Sequence, residues 1–172
     1  MLRPSGVADA PPARRVRGRR SSLVLGVLVL TAVVSTRWVR LNLSPSVPVG
    51  LYRLTAVPAE VSRGTLMVLP VPASVHHVWP SWIPLLKPVA GVPGDVVCHA
   101  SGVLTVNGQD YGPVLLAARG RALPYLYPGC DRVSEGMIFL ASPTSQSLDG
   151  RYIGMTPVAT VTAQALPLLT WR

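Results

Sequence analysis

Two serines, Ser44 and Ser46, lie in a proline-stiffened stretch that reads N-L-S-P-S-V-P-V-G-L-Y from Asn42 to Tyr52. A proline fixes its own φ and pushes the residue before it towards extended backbone, so Pro45 and Pro48 present both hydroxyls on a stiff strand or turn, not on a helix. A serine hydroxyl is a poor nucleophile until a base takes its proton. None of the three histidines, His76, His77 and His99, stands in a sequence context that suggests it as that base. The chain has sixteen basic residues, of which Lys87 is the single lysine. Arginine does not deprotonate in a protein, whereas desolvation lowers a lysine's pKa towards working pH and can leave it a neutral base. Ile83, Leu85, Leu86, Val89 and Ala90 surround Lys87 with apolar residues. A third polar patch, S-Q-S-L-D-G-R-Y-I-G from Ser145 to Gly154, adds Ser147, Asp149 and Arg151. Each patch alone has a plainer reading: a Pro/Ser linker, a surface lysine, a turn.

Short strands are the elements available to position these groups. From residue 48 onward G-L-Y-R-L-T, T-L-M-V-L-P-V, D-V-V-C-H-A, V-L-T-V-N-G, G-M-I-F-L-A-S and V-A-T-V-T-A-Q-A-L are strand-length runs rich in β-branched and apolar residues, bounded by turn residues. Val97 to Val106 reads as a hairpin turning at Ser101-Gly102, with a second turn at Asn107-Gly108. No long amphipathic helix interrupts the runs, and the eighteen prolines suit the loops of an all-β domain. There is no internal repeat and no glycine-rich phosphate loop. The chain's 172 residues hold one modest domain with appendages.

The charge is local. Six of the fifteen arginines (Arg3, Arg14, Arg15, Arg17, Arg19, Arg20) fall in the first twenty residues against one acid, Asp9, within a formal net charge of +9. Residues 1–20 read as a disordered basic tail suited to an anionic membrane face. Residues 21–36 then run without a charge between Arg20 and Arg37. As a helix, sixteen residues span about 24 Å, short of a hydrocarbon core of about 30 Å, a gap that arginine snorkelling and the interfacial Trp38 can close. A cleaved secretory signal, an uncleaved signal anchor and a buried core helix compete for this segment. The preceding arginines oppose a core helix, and the residues after the run form a poor cleavage site. The expected organisation is therefore a cytoplasmic tail (1–20), a transmembrane signal anchor (21–38) and a β-rich domain (39–172), placed outside the cytoplasm by the positive-inside rule. In a bacterium that space is the periplasm. Cys98 and Cys130 are candidates for a disulfide there. A metal site at Cys98-His99 is the alternative, but the residues lack ligand spacing. His76 and His77, with Trp79 and Trp82 nearby, read as a surface or membrane-skimming loop.

The three patches in this order behind an N-terminal anchor resemble the signature boxes of the signal peptidase I superfamily, membrane-anchored serine peptidases with a Ser-Lys dyad. The form S-x-P-x-G-L-Y is similar to the conjugative-transfer branch, TraF, more than to housekeeping leader peptidases, whose box reads S-M-x-P. The resemblance covers residues 21 to about 160. It implies a signal-peptidase/LexA-like β-domain with Ser46 as nucleophile and Lys87, in K-P-V-A-G-V-P-G-D, as general base. It implies Ser44 as the side-chain donor to an oxyanion hole completed by the Ser46 N–H, Ser147 as the hydroxyl orienting the lysine, and Asp149 with Arg151 as a supporting charge pair. Gly91, Pro93, Gly94 and Asp95 would make the turn after the lysine strand. Pro45, Ala141-Ser142-Pro143 and Gly150 depart from the leader-peptidase pattern.

The resemblance further implies an endopeptidase of the bacterial inner membrane, free of cofactor or metal, that cuts exported precursors after small residues. The precursor expected is a conjugative pilin, with a linear or cyclised product, in the company of membrane lipid and other conjugation components. Ser46 lies nine residues beyond Arg37, so extended chain holds it within about 30 Å of the bilayer. The competing readings are a housekeeping signal peptidase and a non-catalytic anchored subunit of a secretion or conjugation apparatus. No recognition helix or aromatic interleaving accompanies the arginines, which argues against a nucleic-acid partner.

Overall fold

The computed structural model describes residues 24–26, 38–124 and 128–171. The basic tail lies outside the described residues, and so does the expected anchor apart from 24–26 and Trp38. Among the described residues no helix is long and apolar enough to cross a membrane.

The domain that follows residue 37 is mainly β. Among the described residues thirteen strands form in chain order: β1 (Val39–Asn42), β2 (Val49–Thr55), β3 (Leu66–Leu69), β4 (Leu85–Gly91), β5 (Val96–Ala100), β6 (Val103–Val106), β7 (Gln109–Pro113), β8 (Ala117–Ala118), β9 (Arg121–Ala122), β10 (Gly129–Arg132), β11 (Met137–Leu140), β12 (Thr156–Pro157) and β13 (Ala163–Trp171). One helical turn, α1 (Gly150–Ile153), precedes β12. A seven-stranded sheet runs β1-β2-β13-β3-β4-β11-β12, a four-stranded sheet runs β10-β5-β6-β7, and β8 pairs with β9. All pairings are antiparallel, as short connections demand.

The middle of the large sheet is covered on both faces. Along β3, Met67 and Leu69 join one core cluster and Val68 another. Along β4, Leu85 and Val89 face the first cluster, Leu86 the second, and Ala90 a third that holds Phe139 and Leu104. A strand buried on both faces reads as a continuous apolar run, because neither set of alternating side chains meets water. That is why Lys87 stands among leucines and valines.

The hairpins expected at Ser101-Gly102 and Asn107-Gly108 form, with Ser101 and Asn107 in the left-handed region. The run expected as a strand from Val158 does not start there: Val158–Thr160 is a 3-10 turn behind Pro157, and β13 begins at Ala163. Pro157 fixes the entry geometry and the ladder resumes only past that turn. Gly91 ends β4 instead of entering the following turn, which Val92 to Asp95 makes.

Cys98 and Cys130 sit directly opposite each other on β5 and β10 and are joined as a disulfide. His76 and His77 each face a backbone carbonyl, of Val71 and Ala122. Trp79 does not skim a surface: it packs against the first core cluster and donates to the Ile83 carbonyl at 2.8 Å, while Trp82 is exposed.

Gly50 shows why the serine stretch ends in G-L-Y. A Cβ at Gly50, φ +156°, would lie 2.2 Å from the Leu169 oxygen and 2.7 Å from the Thr170 Cα, both backbone atoms of β13. Two residues on, Tyr52 is fully buried and its hydroxyl donates to the Pro48 carbonyl. Gly50→Ala is expected to destabilise the fold by on the order of 3 kcal/mol and to lower Tm by roughly 10 °C in a thermal melt, since backbone must move. A Tm within about 2 °C of wild type would show that β13 yields cheaply.

Candidate active site

Lys87 enters the site from the centre of β4, and burial on both sides of that strand leaves it 3% exposed. The Ser44–Pro48 segment is the loop between β1 and β2, held together by the pairing of Asn42 with Gly50. Its Val47 packs with Tyr52, Val68 and Leu86, the last being the strand neighbour of Lys87. Hydrophobic burial of one residue therefore seats the next hydroxyl beside the lysine. Lys87 Nζ lies 2.6 Å from Ser46 Oγ and 3.0 Å from Ser147 Oγ, and the two hydroxyl oxygens are 3.3 Å apart. Three groups separated by up to 101 residues meet as a compact triangle, all of them buried.

Removal from water disfavours the ammonium form of Lys87 and is the largest influence on it. Asp149 acts against this and Arg151 acts with it, and the balance brings the lysine from 10.5 down to about 8. Lysine near that value is a competent proton acceptor in mildly alkaline water.

Asp149 and Arg151 are both completely buried, with Arg151 Nε 3.7 Å from Asp149 Oδ1. Asp149 caps α1 by accepting the Arg151 N–H at 3.2 Å, and its other oxygen accepts the Ser142 N–H at 3.0 Å. Burial pushes its carboxyl up from the ordinary range, while Arg151 and the Ser142 N–H pull it down. The guanidinium donates to the carbonyls of Thr144 (2.8 Å), Tyr111 (2.7 Å) and Ser142. It thereby ties the Ser142–Ser147 loop to β7 of the second sheet. Gly150 is required between the pair's members, for a Cβ there would sit 2.6 Å from the Phe139 ring and 2.7 Å from the Leu140 oxygen.

Three participants escaped the sequence reading. Ser142 is fully buried and its hydroxyl donates to the Ser46 carbonyl at 2.7 Å, so the segment that departs from the leader-peptidase pattern holds the backbone of the serine loop. Asn42 uses its whole amide on the same loop: Oδ1 accepts from the Ser44 hydroxyl (2.8 Å) and N–H (3.2 Å), and Nδ2 donates towards the Ser44, Val47 and Pro48 carbonyls. Arg63 clasps Asp95, which also accepts from Val92 N–H and Asn107 Nδ2. These contacts, Arg63 first, hold the Asp95 carboxyl down at about 2 and fix the turn after β4. The only advance signal was Asn42's place at the head of the serine stretch. Ser44 itself is half-buried, and in this state its one hydroxyl proton is directed at Asn42.

Among the described residues no cluster of His, Cys, Asp or Glu suits a metal ion.

A serine, a lysine and a second serine at mutual hydrogen-bond distance in a mainly β domain define a site of the Ser-Lys peptidase type. The family model described as "Signal peptidase, peptidase S26" matches residues 19–170, and the chain belongs to that family. Within it the chain falls on the TraF branch. It is 30% identical over 178 residues to the "Probable conjugal transfer protein TraF" of Sinorhizobium fredii (strain NBRC 101917 / NGR234), covering 92% of this chain and 94% of the relative. It is likewise 30% identical over 185 residues to the "Conjugal transfer protein TraF" of Agrobacterium tumefaciens (strain 15955), covering 91% and 99%. The crystal structure of a signal peptidase I from Enterococcus faecalis V583 aligns with a TM-score of 0.39 at 20% identity, over 63% of this chain and 98% of that one.

Because Lys87 is the sole lysine, protein made with isotope-labelled lysine gives a single side-chain NMR signal to titrate. Its midpoint is expected near 8, and a midpoint near the free-lysine value of about 10.4 would refute the buried-base geometry. The same shift has a stability signature. Between these pH values the unfolded chain holds a lysine proton that the folded one lacks, so stability from this group rises with pH. Wild type should gain about 2 to 3 kcal/mol relative to Lys87→Met between pH 7 and 10, read from denaturant melts. Arg151→Met should cost about 3–5 kcal/mol by stranding the Asp149 charge, and should move the Lys87 midpoint upward.

Proposed function

We propose that the protein is a membrane-anchored serine endopeptidase that processes an exported precursor in conjugative transfer. The observation that carries this reading is the 2.6 Å contact between Lys87 Nζ and Ser46 Oγ, both out of water. Family membership and the TraF relatives support the same reading.

In the proposed reaction neutral Lys87 takes the Ser46 proton as Oγ attacks the scissile carbonyl carbon. The N–H of Ser46 and the hydroxyl of Ser44 stabilise the oxyanion that develops, a contribution on the order of 10²-fold or more for one donor. Among the described residues none accepts a hydrogen bond from the Ser46 N–H. The new ammonium gives its proton to the leaving amine, and Ser147 keeps Nζ aimed through the exchange. Water, activated by Lys87, then releases the acyl group and restores Ser46. If an amine of the same substrate attacks instead, a new amide forms, Ser46 regains its proton and the product is cyclic. Asp149 and Arg151 brace the lysine's surroundings without taking a proton.

The substrate we infer is a pilin-like precursor with small residues before the cleavage point. Residues 21–38 would anchor the enzyme in the inner membrane with the domain in the periplasm, where the Cys98–Cys130 disulfide is at home. Anchoring enzyme and precursor in one membrane raises their effective concentration.

The test is mass spectrometry of a membrane-embedded pilin precursor co-expressed with wild type, Ser46→Ala or Lys87→Arg protein. Processing is expected with wild type alone, and a product lighter by one water marks cyclisation. Lys87→Arg keeps the charge but cannot become a base, so substantial processing by it would sink the dyad. With purified protein, kcat/KM should rise about tenfold per pH unit and level off once Lys87 is neutral, near pH 8. A rate independent of pH between 6 and 8 would exclude lysine as the base.

A further inference from the structure

The loop that carries both serines has little backbone hydrogen bonding of its own. Pro45 and Pro48 have no N–H to give, and among the described residues none of the backbone N–H groups of 43–48 reaches a backbone carbonyl outside a strand ladder. Side chains take over that work: Ser142 and Tyr52 donate to the Ser46 and Pro48 carbonyls, and one buried residue makes most of the contacts. Asn42, 7% exposed at the end of β1, makes five hydrogen-bond contacts to residues 44–48. Its amide orientation is dictated by these surroundings. Three carbonyl oxygens lie on the Nδ2 side and the Ser44 N–H on the Oδ1 side, so the flipped amide would set its oxygen against carbonyls and its N–H against an N–H, with only the two-way Ser44 hydroxyl indifferent.

A hydroxyl has one proton to give, and the Ser44 hydroxyl, 2.8 Å from Asn42 Oδ1, gives it to Asn42. In that position it cannot stabilise an oxyanion. Rotation about one side-chain bond releases it, and Oδ1 then still accepts the Ser44 N–H at 3.2 Å, so the amide oxygen is not stranded without a donor. The exchange therefore trades one neutral hydrogen bond for a charge-assisted one, which favours the oxyanion once it exists.

We propose that Asn42 is the positioning residue of the oxyanion hole: it fixes Ser44 through that residue's N–H and carbonyl, so that the Ser44 hydroxyl, resting on Oδ1, turns to the oxyanion from a set position when the tetrahedral intermediate forms. This rests on the reading of Ser44 as an oxyanion donor. Asn42 touches neither substrate nor reacting atoms, so it acts through Ser44. Its effect should fall on the stabilised intermediate and be lost when Ser44 has no hydroxyl to hold.

A peptide aldehyde with alanine at P1 and P3 tests this. Ser46 Oγ adds to the aldehyde carbon, its proton passes to Lys87, the carbonyl oxygen becomes the oxyanion of a reversible hemiacetal, and the adduct is followed by NMR of the isotope-labelled carbon. Affinities are compared for wild type, Ser44→Ala, Asn42→Ala and the double variant in the full-length detergent-solubilised protein. Ser44→Ala is expected to weaken binding on the order of 10²-fold, and Asn42→Ala by about tenfold or more. The double variant should be weaker than Ser44→Ala by less than about threefold, since the two act as one unit. Losses that multiply, or an Asn42→Ala affinity equal to wild type, overturn the proposal. No hemiacetal with wild type overturns the peptidase reading beneath it, and a Ser44→Ala variant that binds like wild type removes Ser44 from the oxyanion hole. Should Asn42→Ala fail to fold, Asn42→Asp keeps the shape and supplies a pH readout. Its affinity relative to wild type should fall as the new carboxylate ionises, because the charge grips the Ser44 proton and repels the oxyanion. A ratio that does not change with pH overturns the proposal as well.

Discussion

A buried ammonium is costly, and the site depends on how that cost is arranged around Lys87. Desolvation favours the neutral amine most strongly, and Asp149 alone near the lysine would work against it by attracting the ammonium. Arg151, completely buried at 3.7 Å from Asp149, offsets that attraction. The pair's net charge is near zero, so desolvation prevails and Lys87 comes down to about 8. The ion pair thus works by what it withholds from the lysine. Its own burial is made tolerable by the carbonyls of Tyr111, Ser142 and Thr144, which accept from Nη1 and Nη2, and by the Ser142 and Arg151 N–H groups, which donate to the carboxylate; Nε makes no hydrogen bond and faces Asp149 at 3.7 Å.

The same pair joins the pieces of the site mechanically. Asp149 reaches Ser142 N–H, Ser142 Oγ reaches the Ser46 carbonyl, and Arg151 holds the loop between them to β7. A displacement of α1 would therefore reach the serine loop through two hydrogen bonds. On the other side, Asn42 and Val47 fix that loop to β1 and to the core beneath β4. Ser46 is held from both flanks, which matters because proton transfer over 2.6 Å tolerates little misplacement.

What the sequence made legible follows from residue chemistry. A lone lysine in an apolar run, serines locked by prolines, and β-branched runs between glycine turns are conspicuous because each is improbable without a reason. Lys87, Ser46 and Ser147 do meet, and the hairpins at Ser101-Gly102 and Asn107-Gly108 turn where the left-handed positions allow. Ser142 and Arg63 were illegible because their partners are tertiary: Ser142 bonds a carbonyl 96 residues away, and Arg63 an aspartate 32 residues away. Asn42 bonds only residues two to six positions on, but residue type alone does not say that its amide turns back on the loop. Serine, asparagine and arginine are ordinary in loops, so only the folded chain distinguishes these from their neighbours. The boundary misread at Val158 has a local cause, since a run of valine and threonine behind a proline gives no hint that three residues will turn before the strand resumes.

Departures from the leader-peptidase pattern acquire physical reasons here. Gly150 stands where Phe139 and the Leu140 carbonyl leave no room for a Cβ. Ser142 stands where its N–H gives to Asp149 and its hydroxyl gives to the Ser46 carbonyl, a link made without adding a charge near Lys87. A second carboxylate at that point would attract the ammonium and raise the lysine's pKa, opposing the desolvation on which its basicity depends. Where the ion pair already neutralises its own carboxylate, an uncharged link to the serine loop is the arrangement that leaves the lysine free to lose its proton.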